Sequence, residues 1–404
     1  MFCEQTCQHK TPLCLTRLLL LEAGVYFSIG LFYTQRTGYI DMRQVGLAAL
    51  RPLPEAGDSL TDTVLRLNKQ RSGEFCSPAM RRWRAEYRLK HPTEICVLKC
   101  MDGRLHLPVI TGTPHGVIQP FRNIGGRFDL GWPYFAELMV EFVEYALKKK
   151  RHCLTIITYH YSHGSAGRGC RGFNHDTDSA RVAAFELWKR FELIYGGKDR
   201  VMHAIVVGIE TDEDALIFHG EDQRSTLQVA QSLHLNESDI RQQLLALYPS
   251  MREQVLEDIL PLVQGNQGHV REVRLNGRLP IELDHSEHII AVGRGFSWLH
   301  CPNLALIIGP YADQWPDAVE AAGNIVLDNI DAGRTPSRQA LLLVSAFSRH
   351  PIGGYGWRSA IEKAVYLEQT ARKVLQERTP ALYERLEVLC GVLDASTQLL
   401  HPFS

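Results

Sequence analysis

At 404 residues the chain is long for one hydrophobic core, so two or three domains are expected. With 45% hydrophobic and 22% charged residues it reads as a soluble globular protein, neither disordered nor fibrous. The formal net charge of −1, with no basic stripe, argues against a nucleic-acid partner. The ten cysteines are scattered and no secretory signal is evident, which reads as a reducing, cytoplasmic setting.

Residues 1–90 read as a small helical N-terminal domain. Leu13–Tyr33 is its first candidate helix. Arg17 and Glu22 interrupt the apolar run, whereas a membrane span needs about 20 mostly uncharged residues, so the segment reads as amphipathic and no span is expected. Ser59–Gln70 and the Arg-rich Pro78–Leu89 are further candidate helices. This region carries no catalytic constellation. A docking or oligomerisation module and a helical cap on the next domain are both compatible with it.

From His91 the pattern changes to alternating strands and helices, which favours an α/β domain with a mostly parallel sheet over residues 91–284. Glu94–Lys99 is a short apolar strand. In Trp132–Lys149, Phe135, Leu138, Met139, Phe142, Val143 and Ala146 fall at helical spacing. Cys153–Tyr159 is a second buried strand, running on to His160. Asp178–Ile194 is a strong helix stopped by Gly196-Gly197. Val201–Ile209 and Ala215–Phe218 are further strands, residues 225–264 return to helix, and Val270–Leu283 reads as a hairpin around Asn276-Gly277.

Residues 285–404 repeat the domain before them. Glu94–Pro108 aligns without gaps on His288–Pro302, keeping the apolar strand and the Leu-His-x-Pro ending. Arg294 then stands where Cys100 stands, Phe296 where Asp102 stands and Trp298 where Arg104 stands. Tyr159-His160-Tyr161-Ser162 lines up with Ser345-Ala346-Phe347-Ser348. A degenerate copy without the polar residues would pack on the intact one as a pseudo-dimer partner.

The polar residues in question form a candidate zinc site. Cys100, His160 and Cys170 offer a borderline metal three ligands from two strand ends and the following loop, leaving a fourth position for water. Open α/β sheets bind ligands at such strand ends. His163, three residues after His160, is the rival for the third position. Ligand softness favours Cys170, in the loop Gly167-Arg168-Gly169-Cys170-Arg171-Gly172. Two thiolates reduce the charge on zinc, so the hydroxide it generates needs an acceptor to orient it. Asp102, kept ionised by the fork of Arg104, can supply one. Arg122-Asn123-Ile124-Gly125-Gly126 permits close backbone approach. Ile124, Phe121, Phe128 and Trp132 are candidates for an apolar wall, and His163, His175 and His106 for proton shuttles.

At these residues the chain resembles the β-class carbonic anhydrases. The resemblance rests on Cys100-Met101-Asp102-Gly103-Arg104, the Arg122–Gly126 loop, the helix containing Val143-Glu144-Tyr145-Ala146, and Thr155–His160. The common pattern places cysteine three residues after the histidine, where this chain has His163. In that departure it is similar to the divergent carboxysomal shell (ε-like) subfamily, in which the second cysteine follows by about ten residues. Tyr159–Ser162, Gly169-Cys170, Val207–Ala215 and Val229–Leu235 are similar to that subfamily too.

The resemblance covers roughly residues 91–404. It implies a helical N-terminal domain, a catalytic β-carbonic-anhydrase-like domain and a degenerate C-terminal copy. It also implies Zn2+ on Cys100, His160 and Cys170, with Asp102 and Arg104 as the catalytic pair. The implied reaction is hydration of carbon dioxide to bicarbonate by a homo-oligomer, in the cytoplasm or inside a carboxysome with its shell or Rubisco as partner. A zinc hydrolase of carbonyl sulfide or carbon disulfide, and a non-catalytic carboxysome docking protein, are the alternative readings.

Overall fold

The computed structural model describes residues 59–403, apart from 279, 300 and 336 and the side chains at 280 and 281. The Leu13–Tyr33 helix expected from the sequence lies outside the described residues. Two helices come first, α1 (Leu60–Cys76) and α2 (Pro78–Lys90). Ser59 caps α1 by accepting from the Asp62 N–H, and Asp62 answers to the Ser59 N–H, so two otherwise orphaned donors are satisfied. Ser77 caps α2, whose first residue, Pro78, has no N–H to lose.

The first sheet has the order β2-β1-β3-β4-β5-β6. Its strands β1 (Glu94–Cys100), β2 (Ile118–Asn123), β3 (Cys153–Tyr161) and β4 (Met202–Glu210) are parallel. Strands β5 (Ala215–His219) and β6 (Thr226–Gln228) add an antiparallel edge. Every residue of β1, β3 and β4 is buried, as expected where helices cover both faces of a parallel sheet. One face packs on α3 (Pro133–Lys148) and α4 (Thr177–Tyr195), through Phe135, Met139, Ala184 and Phe191 against Cys96, Leu98 and Ile157. The other face packs on α5 (Glu237–Leu247) and α6 (Glu253–Asn276), through Val255, Ile259 and Val263.

The hairpin expected over Val270–Leu283 is not formed. Helix α6 runs on to Asn276 and ends at Gly277, which has φ +72°. Asn-Gly suits a hairpin turn, but a glycine with positive φ is also a common helix stop, and buried Val270 keeps the helical face in phase.

The second sheet has the order β8-β7-β9-β10-β11. Strands β7 (Ile289–Gly293), β8 (Ala305–Ile308), β9 (Ala340–Ser348) and β10 (Leu386–Asp394) are parallel, and β11 (Leu400–Pro402) is antiparallel. Helices α7 (Trp315–Asp331) and α8 (Tyr355–Arg378) follow β8 and β9 as α3 and α4 follow β2 and β3. Strand order and direction therefore repeat those of the first sheet. The register corrects the sequence alignment by one residue. Ile95 pairs with Leu154 and Ile289 with Leu341, so His160 corresponds to Phe347 and not to Ala346. The pairing of Cys100 with Arg294 stands.

All described residues belong to one compact unit. Helix α1 covers the second sheet rather than the neighbouring first one: Leu60, Val64 and Leu67 pack with Ile289, Ala291 and Leu343, and Asn68 Nδ2 donates to Gln398 O. The sheets are joined at the ends of β1 and β2. Ile307 N donates to Met101 O and Gly309 N to Arg122 O, at 3.0 and 2.8 Å. Tyr311 inserts into the first half, its ring centroid 5.4 Å from that of Phe121 and 5.5 Å from that of Phe135. Among the described residues no helix is long and apolar enough to cross a membrane.

Gly265 lets α6 touch the loop at Thr111, where an added Cβ would lie 1.9 Å from Thr111 O. Helix propensity alone would make Gly265→Ala stabilising by about 1 kcal/mol. The backbone contact reverses the sign, and a loss of at least ~2 kcal/mol is expected. It should read as a lower denaturant midpoint at unchanged slope. Buried His203 and His219 are held neutral, mainly by desolvation, each with its pKa lowered to about 4. The native state then binds fewer protons than the unfolded chain between the ordinary histidine value and 4. Stability should therefore be full above about pH 6.5 and fall as pH drops towards 4, seen as a falling melting temperature.

Candidate metal centre

Strand direction assembles the site. Cys100 is the last residue of β1, Asn123 the last of β2, and His160 the penultimate residue of β3, so parallel pairing brings their ends to one edge. Cys170 returns from the loop after β3. That loop lies on the Ile124–Gly126 turn, where Gly125 has φ +61°. An added Cβ at Gly172 would stand 2.7 Å from Gly125 Cα. The two glycines thus let the Cys170 loop close over the strand ends.

The ligand atoms of Cys100, His160 and Cys170 all lie within 4.8 Å of one another, and all three residues are buried. The two sulfurs are 3.9 Å apart. A tetrahedral zinc with bonds of about 2.3 Å would place two sulfurs about 3.8 Å apart. His160 is 2% exposed, and both its ring nitrogens are buried with no hydrogen-bond partner among the described residues. A buried imidazole with neither nitrogen bonded is costly, and a metal bond would satisfy one of them. The sulfurs are within hydrogen-bonding reach of each other. The contact with Cys170, then the neighbouring His160, holds the Cys100 thiol well below its ordinary pKa, and the same contact raises that of Cys170. A divalent cation between them would keep both as thiolates. The residues present therefore fit zinc.

Asp102 and Arg104 lie beside this set. Arg104 grips the Asp102 carboxylate with two bonds, Nε to Oδ1 at 3.0 Å and Nη2 to Oδ2 at 2.6 Å. Its remaining donors reach Leu283 O and Arg168 O. Burial works to raise the Asp102 pKa, but the Arg104 charge, then His285, outweighs it and leaves the carboxyl well below the usual range. Asp102 Oδ2 is 3.9 Å from His160 Nε2. Arg122 donates to the carbonyls of Asp102 and Leu105, which fixes the turn after β1.

The second half reaches into the site. Glu287 accepts from the Gly103 N–H at 3.2 Å, and His285 Nδ1 lies 3.1 Å from Glu287. His285 Nε2 stands 3.9 Å from Asp102 Oδ2. Asn329 of α7 and Arg334 hold this segment through Glu287 O and His285 O. Burial opposes the charge on His285, but Glu287 and Asp102 raise its pKa. Neither residue stands out in the sequence, since Glu287 is 184 positions beyond Gly103 and no motif joins them.

Other expectations fare differently. Cys170, not His163, joins Cys100 and His160. His163 is exposed, edge-on to Tyr161. His106 is buried, 3.3 Å from Arg122, and burial holds its pKa well below normal, which does not suit a shuttle. His175 turns Nδ1 towards Gly169 O. Of the expected apolar wall only Ile124 packs against the cluster that contains Cys100 and Cys170. Phe121 and Phe128 instead surround Tyr311, and Trp132 donates to Pro310 O.

No known protein-family model matches the chain, and no curated protein is significantly similar to it.

Metal analysis of purified protein should give about one zinc per chain. Cys100→Ala should hold less than about a tenth of that, while His163→Ala should keep it. Zinc loss in His163→Ala would reassign the third ligand.

Proposed function

We propose that the chain catalyses the reversible hydration of carbon dioxide to bicarbonate. The observation that carries this reading is the burial of a Cys-His-Cys set beside a carboxylate clamped by arginine. Zinc, when bound, makes a water acidic enough to act as a nucleophile near neutral pH.

The residues around it supply position and proton traffic. Asp102 stays ionised because Arg104 neutralises it at two points, so it can accept a hydrogen bond from a water held at the ligand set. That bond would aim an oxygen lone pair away from the carboxylate. Arg104 is itself fixed by two carbonyls and cannot rotate without breaking both. Cys100, Met101 and Cys170 belong to an apolar cluster, with Ile124 and Phe173 packed on it, a surface suited to a small neutral molecule. His285, with 22% of its side chain exposed, stands between Asp102 and solvent and is placed to pass on the proton. The C-terminal half serves as a copy that has lost its own ligands and buttresses the live site. Roles in inorganic-carbon handling, and docking to a carboxysome shell or Rubisco, rest on the sequence resemblance.

Stopped-flow hydration of carbon dioxide by reduced, zinc-loaded protein should be rapid. Full zinc with no hydration would sink the proposal. Asp102→Asn should keep zinc and lower turnover at least ~100-fold. His285→Ala should lower kcat in dilute buffer, leave kcat/KM within about threefold, and recover with added imidazole.

A further inference from the structure

Arg294 occupies in the second sheet the position that Cys100 occupies in the first, five residues beyond the Ile289–Leu341 pair as Cys100 is five beyond Ile95–Leu154. Its neighbour across the sheet is Phe347, the counterpart of His160. The guanidinium carbon lies 5.2 Å from the Phe347 ring centroid and 5.9 Å from that of Phe121. The aromatic rings bear on its faces, yet its N–H edge makes no hydrogen bond or ion pair among the described residues. Desolvation lowers its pKa, as does the Arg349 charge, while Tyr311, Tyr134 and Glu141 act the other way. Arg294 is half-buried, and a guanidinium that faces a cavity with no carboxylate on its fork among the described residues is free to pair with an anion.

The guanidinium borders a small cavity lined by Pro120, Gly293, Gly295, Phe296, Gly309 and Tyr311, with Arg122 at its wall. Tyr311 is 2% exposed, and its hydroxyl likewise has no hydrogen-bond partner among the described residues. The polar residues of the lining are thus two arginines and a tyrosine, with no carboxylate among the described residues that form it. The cavity has about 270 Å³ of empty space counting its mouth, but only about 20 Å³ in which a water-sized atom's centre can sit. That admits a few atoms at most.

We infer that this cavity is a binding site for a small planar oxyanion, seated on the Arg294 fork and the Tyr311 hydroxyl where the repeated fold once matched a metal ligand. The planar fork pairs with two oxygens of a planar anion, and the space excludes larger ones. The inference does not depend on catalysis at Cys100.

The test uses zinc-loaded full-length protein and its melting temperature, with sodium nitrate replacing sodium gluconate at constant ionic strength. Gluconate is too large for the cavity. Wild type should show a saturable rise with nitrate. Arg294→Met, which keeps the aliphatic packing against the two rings, should need at least ~10-fold more nitrate. Its melting temperature without nitrate should stay close to wild type, because the half-buried side chain gives up no hydrogen bond or ion pair with the described residues and its aliphatic packing is kept. Tyr311→Phe keeps the ring and should weaken the midpoint about three- to tenfold; it serves as the deciding variant if Arg294→Met does not fold. Bicarbonate in place of nitrate tells whether the proposed product is the natural occupant or an inert oxyanion binds equally well. A flat wild-type response overturns the proposal, as does a nitrate response unchanged in both variants.

Discussion

The candidate site depends on keeping one carboxylate ionised where almost no water reaches it. Asp102 is 4% exposed, and an unpaired carboxylate there would take up a proton. Arg104 prevents this, but only because its own charge is held in place. Its acceptors come from the loop after β3 and from Leu283. Glu287 then fastens the Gly103 N–H between the two side chains. Breaking such a buried pair by removing one partner is far costlier than replacing both. The geometry is therefore a property of both halves of the molecule, although the motif residues lie in the first.

The second sheet carries a different set of residues at the corresponding strand ends. Arg294 and Phe347 stand at the registers of Cys100 and His160, and they meet as a cation over a ring. The contact that metal ligands would make through an ion is made directly between side chains. Phe296 and Trp298, at the places of Asp102 and Arg104, are buried in the apolar cluster under α1. The two sheets share strand order and direction while the residues at their strand ends differ. This is expected when backbone pairing and apolar burial, not the site, set the fold.

Much of this frame was legible in the residues. Strands buried on both faces leave continuous apolar runs, and β1, β3 and β4 were readable for that reason. Cys100, Asp102 and Arg104 were readable because one strand end places them together. Three errors share a physical origin in signals that serve two structures. Asn276-Gly277 ends a helix as readily as it turns a hairpin. Leu341, Leu342 and Leu343 give the register of β9 no marker, so the alignment slipped by one. Phe121, Phe128 and Trp132 are apolar wherever they face, and the sequence does not say that Tyr311 fills the space among them. His285 and Glu287 were invisible for another reason: their role exists only after two distant segments meet.

The stitching of Ile307 to Met101 and of Gly309 to Arg122 has a consequence for concentration. In an assembly of separate subunits, a segment lent by a neighbour is lost when the complex dissociates. Here the lending segment is tethered by the same polypeptide, so its effective concentration does not fall on dilution. The His285–Glu287 buttress behind Asp102 therefore forms once per chain, at the moment of folding, and is as available in a dilute solution as in a crowded compartment.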